Sequence, residues 1–156
     1  MDVMLKEHKD FLLLLIKYKV EFILIGGYAV IFYGYERTTA DMDIWLRPDN
    51  ENRDKFIDVL RKQKVSNETI ALLQKTDFTK HHVMHLGQKP NQIDFLTKVS
   101  GIEFDEAWQQ KVMLPLKKAF VPVIQYQHLI ISKIATDRLK DKADVEELQK
   151  INRLRK

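Results

Sequence analysis

Between residues 5 and 18, apolar positions Leu5, Phe11, Leu12, Leu15 and Ile16 recur at helical spacing with charges between them, which predicts an amphipathic helix. The period then changes. Phe22-Ile23-Leu24-Ile25 is a continuous apolar run of strand length, and it ends on Gly26-Gly27. Residues 27–33 are apolar again and predict a short helix ended near Gly34. A second strand is predicted over residues 42–46, stopped by Pro48. Asn50–Lys62 sets Phe56, Ile57 and Leu60 among charges and predicts a helix with one buried face, followed by a shorter one over Asn67–Gln74.

Residues 80–86 and Gln92–Leu96 predict two further strands on either side of a turn at residues 87–90. Residues 103–111 predict a short helix carrying Trp108. Residues 112–124 alternate but are broken by Pro115 and Pro122, the pattern of one or two edge strands. Two helices, over residues 126–139 and 141–154, end the pattern. This order predicts an α/β (α+β) fold: a small mixed sheet flanked by helices on one side, with C-terminal helices. No repeat or linker divides it, so a single domain over 1–156 is expected, with a core over 1–125 and closing helices over 126–156.

Composition changes little in this picture. At 156 residues, with 45% hydrophobic and 31% charged positions, the chain is long enough for one real core. The absence of cysteine excludes disulfides and thiolate metal sites and fits a reducing, cytoplasmic setting. The apolar run over residues 11–16 is too short to span a bilayer, and Asp2, Glu7 and Asp10 speak against a signal peptide, so no membrane role is expected. The net charge of +4 is uneven: residues 132–156 hold eight basic and five acidic side chains. Such a tail is read either as a solvated helix face or as a surface for polyphosphate or nucleic acid.

The chemistry gathers around the first glycines. A Gly26-Gly27 turn lets backbone approach a phosphate, and the helix start after it presents free N–H groups. Some fifteen residues on, Asp41 and Asp43 are spaced by two and share one face of a strand. Adjacent carboxylates raise each other's pKa unless a cation lies between them, and hard oxygen donors beside a phosphate turn suit Mg2+. Asp94, in Gln92-Ile93-Asp94-Phe95-Leu96, joins them if its strand lies beside theirs, with Met42, Ile44, Ile93 and Phe95 facing the helices. Pairing with Lys98, or an exposed edge, is the other reading of Asp94.

Around this set several roles stay open. Arg37 is placed to hold a phosphate or to neutralise Asp41 or Asp43. Thr38 and Thr39 suit either a metal-bound water or the turn itself. Lys133–Asp137, Asp137–Asp141 and Arg138–Asp141 have the spacings of helix-surface ion pairs. His81 and His85 share a strand face but no third zinc ligand is evident there, and edge-strand histidines are the simpler reading. Trp45 and Trp108 read as packing residues, although Trp45 shares the face of Asp43, where a base could stack.

Together Gly26-Gly27, Gly34, Arg37-Thr38-Thr39, Asp41-Met42-Asp43 and the distal Asp94 resemble the nucleotidyltransferase superfamily of DNA polymerase beta-like folds. More narrowly, with Gly101-Ile102-Glu103-Phe104-Asp105-Glu106-Ala107-Trp108, Lys133 through Arg138, Lys140-Asp141 and Asp144, the chain is similar to small bacterial nucleotidyltransferase-like proteins related to abortive-infection toxins. The resemblance implies transfer of a nucleoside monophosphate from an NTP to a hydroxyl of a small molecule, a protein or RNA, with pyrophosphate released. It implies two Mg2+ ions, or Mn2+, on Asp41, Asp43 and Asp94, and nucleotide contacts from Gly26, Gly27, Arg37, Thr39, Lys133 and Arg138. Gly27 departs from the pattern, since many relatives have serine there. An antitoxin-type protein partner is a further implication. Two other classes stay open: a catalytically silent nucleotide-binding or interaction protein, and a nucleic-acid-binding module that uses the basic tail.

Overall fold

The computed structural model describes residues 3–155, so Asp2 lies outside the described residues. Helix α1 (Lys6–Lys17) leads into strand β1 (Phe22–Ile25), helix α2 (Gly26–Phe32) and strand β2 (Asp41–Leu46). Helices α3 (Asn50–Lys62) and α4 (Asn67–Gln74) precede strands β3 (Val83–Leu86) and β4 (Gln92–Leu96). Helix α5 (Phe104–Gln109), strands β5 (Val112–Leu116) and β6 (Ala119–Val123), and helices α6 (Tyr126–Ile134) and α7 (Leu139–Leu154) complete the chain.

The strands form one mixed sheet in the order β3-β4-β2-β1-β6-β5. Strand β2 is antiparallel to β1 and parallel to β4, in a register that sets Ile25 opposite Asp43 and Asp43 opposite Asp94. The chain leaves β1 at Ile25, so the glycine turn lands directly beside Asp43. Alternation along β2 and β4 sends Met42, Ile44, Ile93 and Phe95 to the opposite face, where all four are buried. There the Phe95 ring meets Phe11 of α1 at 5.6 Å and Phe56 of α3 at 4.7 Å between centroids. Burial of these large side chains supplies roughly 1.5–3 kcal/mol each and fixes the register, because a one-residue slip would exchange them for carboxylates.

Four sequence expectations shift. Helices cover both sheet faces, not one: Phe104 of α5 packs edge-on against Trp45, on the face that carries the acids. Strand β6 is interior, between β1 and β5. The Ile124 N–H donates to the Leu24 carbonyl at 3.1 Å, so by alternation the Pro122 nitrogen also faces β1, where it has no hydrogen to give. Pairing between β1 and β6 is accordingly confined to Leu24 opposite Val123. Strand β3 begins only at Val83, because the Thr97 hydroxyl takes up the Lys80 carbonyl and the His82 N–H in place of ladder bonds. Helix α6 stops at Ile134, where the chain turns so that Lys133 and Thr136 both reach Asp141.

Candidate active site

Asp41, Asp43 and Asp94 stand on one sheet face at the ends of β2 and β4, with Asp43 and Asp94 directly across from each other. Burial pushes the Asp43 carboxyl up to about 6, helped by the Asp94 and Asp41 charges and a hydrogen bond with Asp94, while the Lys133 charge pulls the other way. The outer two acids are held from outside. Asp94 Oδ1 accepts from Gln92 Nε2 at 2.7 Å and lies 2.6 Å from His85 Nδ1, while Asp41 Oδ2 is 3.9 Å from the Lys89 ammonium. Asp41 Oδ1 is buried without a hydrogen-bond partner.

Among the described residues, no three carboxylate or imidazole groups converge closely enough to cage an ion. The donor chemistry nonetheless fits Mg2+: an orphaned buried carboxylate oxygen, next to a carboxyl pushed towards protonation, is the condition a hard divalent cation relieves.

The turn beside the acids tolerates no side chain. Gly26 has φ +66°, and a Cβ there would stand 2.0 Å from Asp43 Oδ2. A Cβ on Gly27 would stand 2.4 Å from Thr39 Oγ1. The Thr39 hydroxyl therefore fills the place a serine side chain would need, and it donates to the Asp41 carbonyl at 2.9 Å. That bond ties the loop before β2 to the start of the strand.

Arg37 turns away from the acids. Its Nε and Nη2 meet Asp144 of α7 at 3.0 and 3.1 Å, so it neutralises neither Asp41 nor Asp43. Asp144 also accepts from Lys133 Nζ at 2.9 Å, and Lys133 donates to Asp141 at 3.0 Å. Asp141 takes two further bonds, from Thr136 Oγ1 at 2.6 Å and Arg138 Nε at 2.7 Å. Burial acts to raise the Asp141 pKa, but these hydrogen bonds and the Lys133 charge outweigh it and leave it lowered. Lys133 pairs across the helix corner instead of with Asp137, which falls beyond the end of α6. An ammonium has three donors, and two are spent here, so one is left for the cavity that Lys133 lines.

That cavity, about 620 Å³, is bounded by the glycine turn, the three acids, the β3–β4 hairpin, the loop after β4 and the α6–α7 corner. Arg37, Thr39, Lys133, Arg138 and Lys140 all reach its wall. The family of nucleotidyltransferases of unknown function (DUF6036) matches residues 4–155, nearly the whole chain. The chain belongs to this family. No curated protein matches this nucleotidyltransferase. Among solved structures it is similar to the lincosamide antibiotic adenylyltransferase LnuA in its lincomycin-bound form, at 18% identity and a TM-score of 0.53, over 96% of this chain and 98% of that one. At that identity the likeness bears on the fold. The nucleotidyltransferase fold expected from the motifs is the one observed.

The structure also decides between readings left open for other residues of the nucleotidyltransferase. Asp94 pairs with His85 and Gln92 and not with Lys98. The signal was present, since a hairpin centred between Lys89 and Pro90 sets His85 across from Asp94. His82 is occupied with the Asp77 carbonyl at 2.9 Å. Trp45 is buried, with its indole N–H on the Thr97 carbonyl at 3.3 Å, which leaves no face for a base. Trp108 stacks on Phe104 with Lys111 Nζ 4.0 Å above its ring. No helix among the described residues is long and apolar enough to cross a membrane.

Proposed function

We propose that this nucleotidyltransferase moves a nucleoside monophosphate from an NTP to a hydroxyl acceptor through the cavity bounded by Gly26-Gly27 and Asp41, Asp43 and Asp94. The single observation that carries the proposal is the register, which sets the Cβ-free turn beside Asp43 and puts the three carboxylates on one face of the sheet. The turn would take the triphosphate on backbone N–H groups, with the third Lys133 proton adding charge from the other wall. Asp41, Asp43 and Asp94 would hold Mg2+, which supplies charge neutralisation for the phosphates and a lowered pKa for the acceptor hydroxyl. The acceptor oxygen forms a bond to the α-phosphorus and the bond from that phosphorus to the bridging oxygen breaks. Pyrophosphate leaves with the electron pair. Asp94 has one oxygen committed to Gln92 and His85, and its carboxylate would help take the hydroxyl proton. Positioning and charge stabilisation carry most of the rate in such a transfer, in agreement with a site built from fixed strands.

The test is transfer of label from each of the four α-labelled NTPs, with Mg2+ or Mn2+, into RNA, protein or small molecules of a cell extract. Wild type is expected to transfer label, and Asp41→Ala combined with Asp43→Ala to lose it by on the order of 10³-fold or more. Binding of Mg-NTP without any transfer would leave the silent nucleotide-binding alternative in its place. Co-purification of a second protein from the native host would test the antitoxin-type partnership separately.

A further inference from the structure

Alternation and pairing in the β3–β4 hairpin set up two cross-strand rows on the face of the acids, His85 opposite Asp94 and Val83 opposite Leu96, and beyond the end of the ladder His81 and Lys98 also line the cavity. The bond from the Thr97 N–H to the His82 carbonyl, at 3.1 Å, holds the intervening pair in place. His81, Val83, Asp94, Leu96 and Lys98 all line the cavity. One face thus runs from a carboxylate, through an apolar step, to a cationic and imidazole end. Four residues of chain separate Asp94 from Lys98, about 13 Å when extended.

The hairpin lies on the other side of β2 from the glycine turn, as the order β3-β4-β2-β1 requires. An NTP whose phosphates rest on Gly26-Gly27 leaves this face for the second substrate. Its charge is divided along its length: of the hairpin residues that line the cavity, Asp94 stands at the inner end, and Lys98 and His81 at the outer end. Val83 is 51% exposed although it faces the cavity, an apolar step with water over it. A cationic acceptor would meet Lys98 and His81 at the outer end, and a neutral one would leave that end unused.

We propose that the acceptor lies across this hairpin and carries a phosphate: its hydroxyl at the Asp94 row, its uncharged body on Val83 and Leu96, and its phosphate on Lys98 and His81. The inference rests on the nucleotidyl-transfer reading and names the acceptor's chemical class. Two sources share that chemistry, the 3′ end of an RNA chain and a small phosphorylated sugar. A lysine and an imidazole N–H both suit a phosphate oxygen, and Val83 with Leu96 suits the face of a sugar or base.

Two measurements test it together. In the first, a 5′-labelled single-stranded RNA with a free 3′-hydroxyl is titrated by fluorescence anisotropy, with ribose 5-phosphate as competitor, against wild type, Lys98→Glu and Lys98→Arg. Lys98→Glu is expected to weaken RNA binding tenfold or more and to lower the slope of log affinity against log salt, while Lys98→Arg retains both. Mg-ATP affinity by calorimetry is expected to be unchanged in both variants. In the second, α-labelled NTPs are offered with the RNA, ribose 5-phosphate, glucose or a polyamino sugar. Label on RNA alone would identify a nucleic-acid end, and label on ribose 5-phosphate a small metabolite.

Label confined to glucose or the polyamino sugar would overturn the inference. So would a loss of Mg-ATP affinity in Lys98→Glu with RNA affinity intact, since the lysine would then serve the NTP. If no acceptor is labelled, transfer itself fails, and anisotropy still decides: the phosphate-binding face stands if Lys98→Glu weakens RNA binding and falls if wild type does not bind.

Discussion

At position 27 the geometry of the turn is decided by the absence of one carbon. Thr39 Oγ1 already occupies the space 2.4 Å from where a Cβ would be, so the chain has exchanged a side chain on the turn for one on the facing loop. Gly27→Ser is expected to cost about 1–3 kcal/mol through overpacking, and Thr39→Gly in the same molecule to recover part of that cost. A double-mutant cycle in urea measures the coupling. Asp43 carries the opposite kind of strain. Its folded pKa of about 6 lies above the ordinary 3.8, so the folded protein without metal binds the proton more tightly than the unfolded chain does. Stability from this group is full below pH 3.8 and is lost as pH rises through 6. Asp43→Asn is therefore expected to raise stability above pH 6 by about 1–2 kcal/mol, roughly 2–8 °C in Tm, with the gain shrinking towards pH 4. Thermal melts in EDTA across that range check it, and the same variant should lose transfer.

Among the elements, the α6–α7 corner depends most on charge. Asp144 is buried to 2% exposure and receives both Arg37, from the loop before β2, and Lys133, from α6. One carboxylate thus pins three segments. Asp144→Ala would leave a buried ammonium and a half-buried guanidinium without their shared partner, at a cost on the order of 3–5 kcal/mol. The expected result is early loss of α7 protection in hydrogen exchange, with β2 and β4 protected almost as in wild type. Asp141 belongs to the same corner but responds to acid: its lowered pKa means that its contribution is present at neutral pH and lost as pH falls below the ordinary carboxylate range.

For the molecule as a whole, the cavity has walls from the sheet and from the closing helices, so a nucleotide bound there would bridge both. Mg-NTP at a hundred times its Kd is expected to stabilise the fold by about 2.7 kcal/mol, roughly 5–11 °C in Tm at this chain length. The shift should vanish in Gly26→Ala, where the added methyl meets both a positive φ and the Asp43 carboxylate. Differential scanning fluorimetry with and without Mg-NTP measures both.

Much of this was legible in the chain, for a physical reason. Helical and strand periods are local, so α3, α4, β1 and β4 stand where the apolar pattern puts them, and the Asp-x-Asp spacing by itself sets two carboxylates on one face. The ends of α6 and β3 were not legible, because Thr136 and Thr97 answer to partners met only in the folded chain. The pairing of β2 with β4, and so the meeting of Asp43 with Asp94, follows from strand order, on which sequence spacing is silent. Likewise helix spacing pointed Lys133 to Asp137, and nearness in sequence offered Arg37 either a phosphate or the acids, whereas packing of α7 delivered Asp144 to both. Sequence determined which residues carry the charge and the turn. Tertiary structure alone decided which charges meet, because electrostatic partners are set by distance in space.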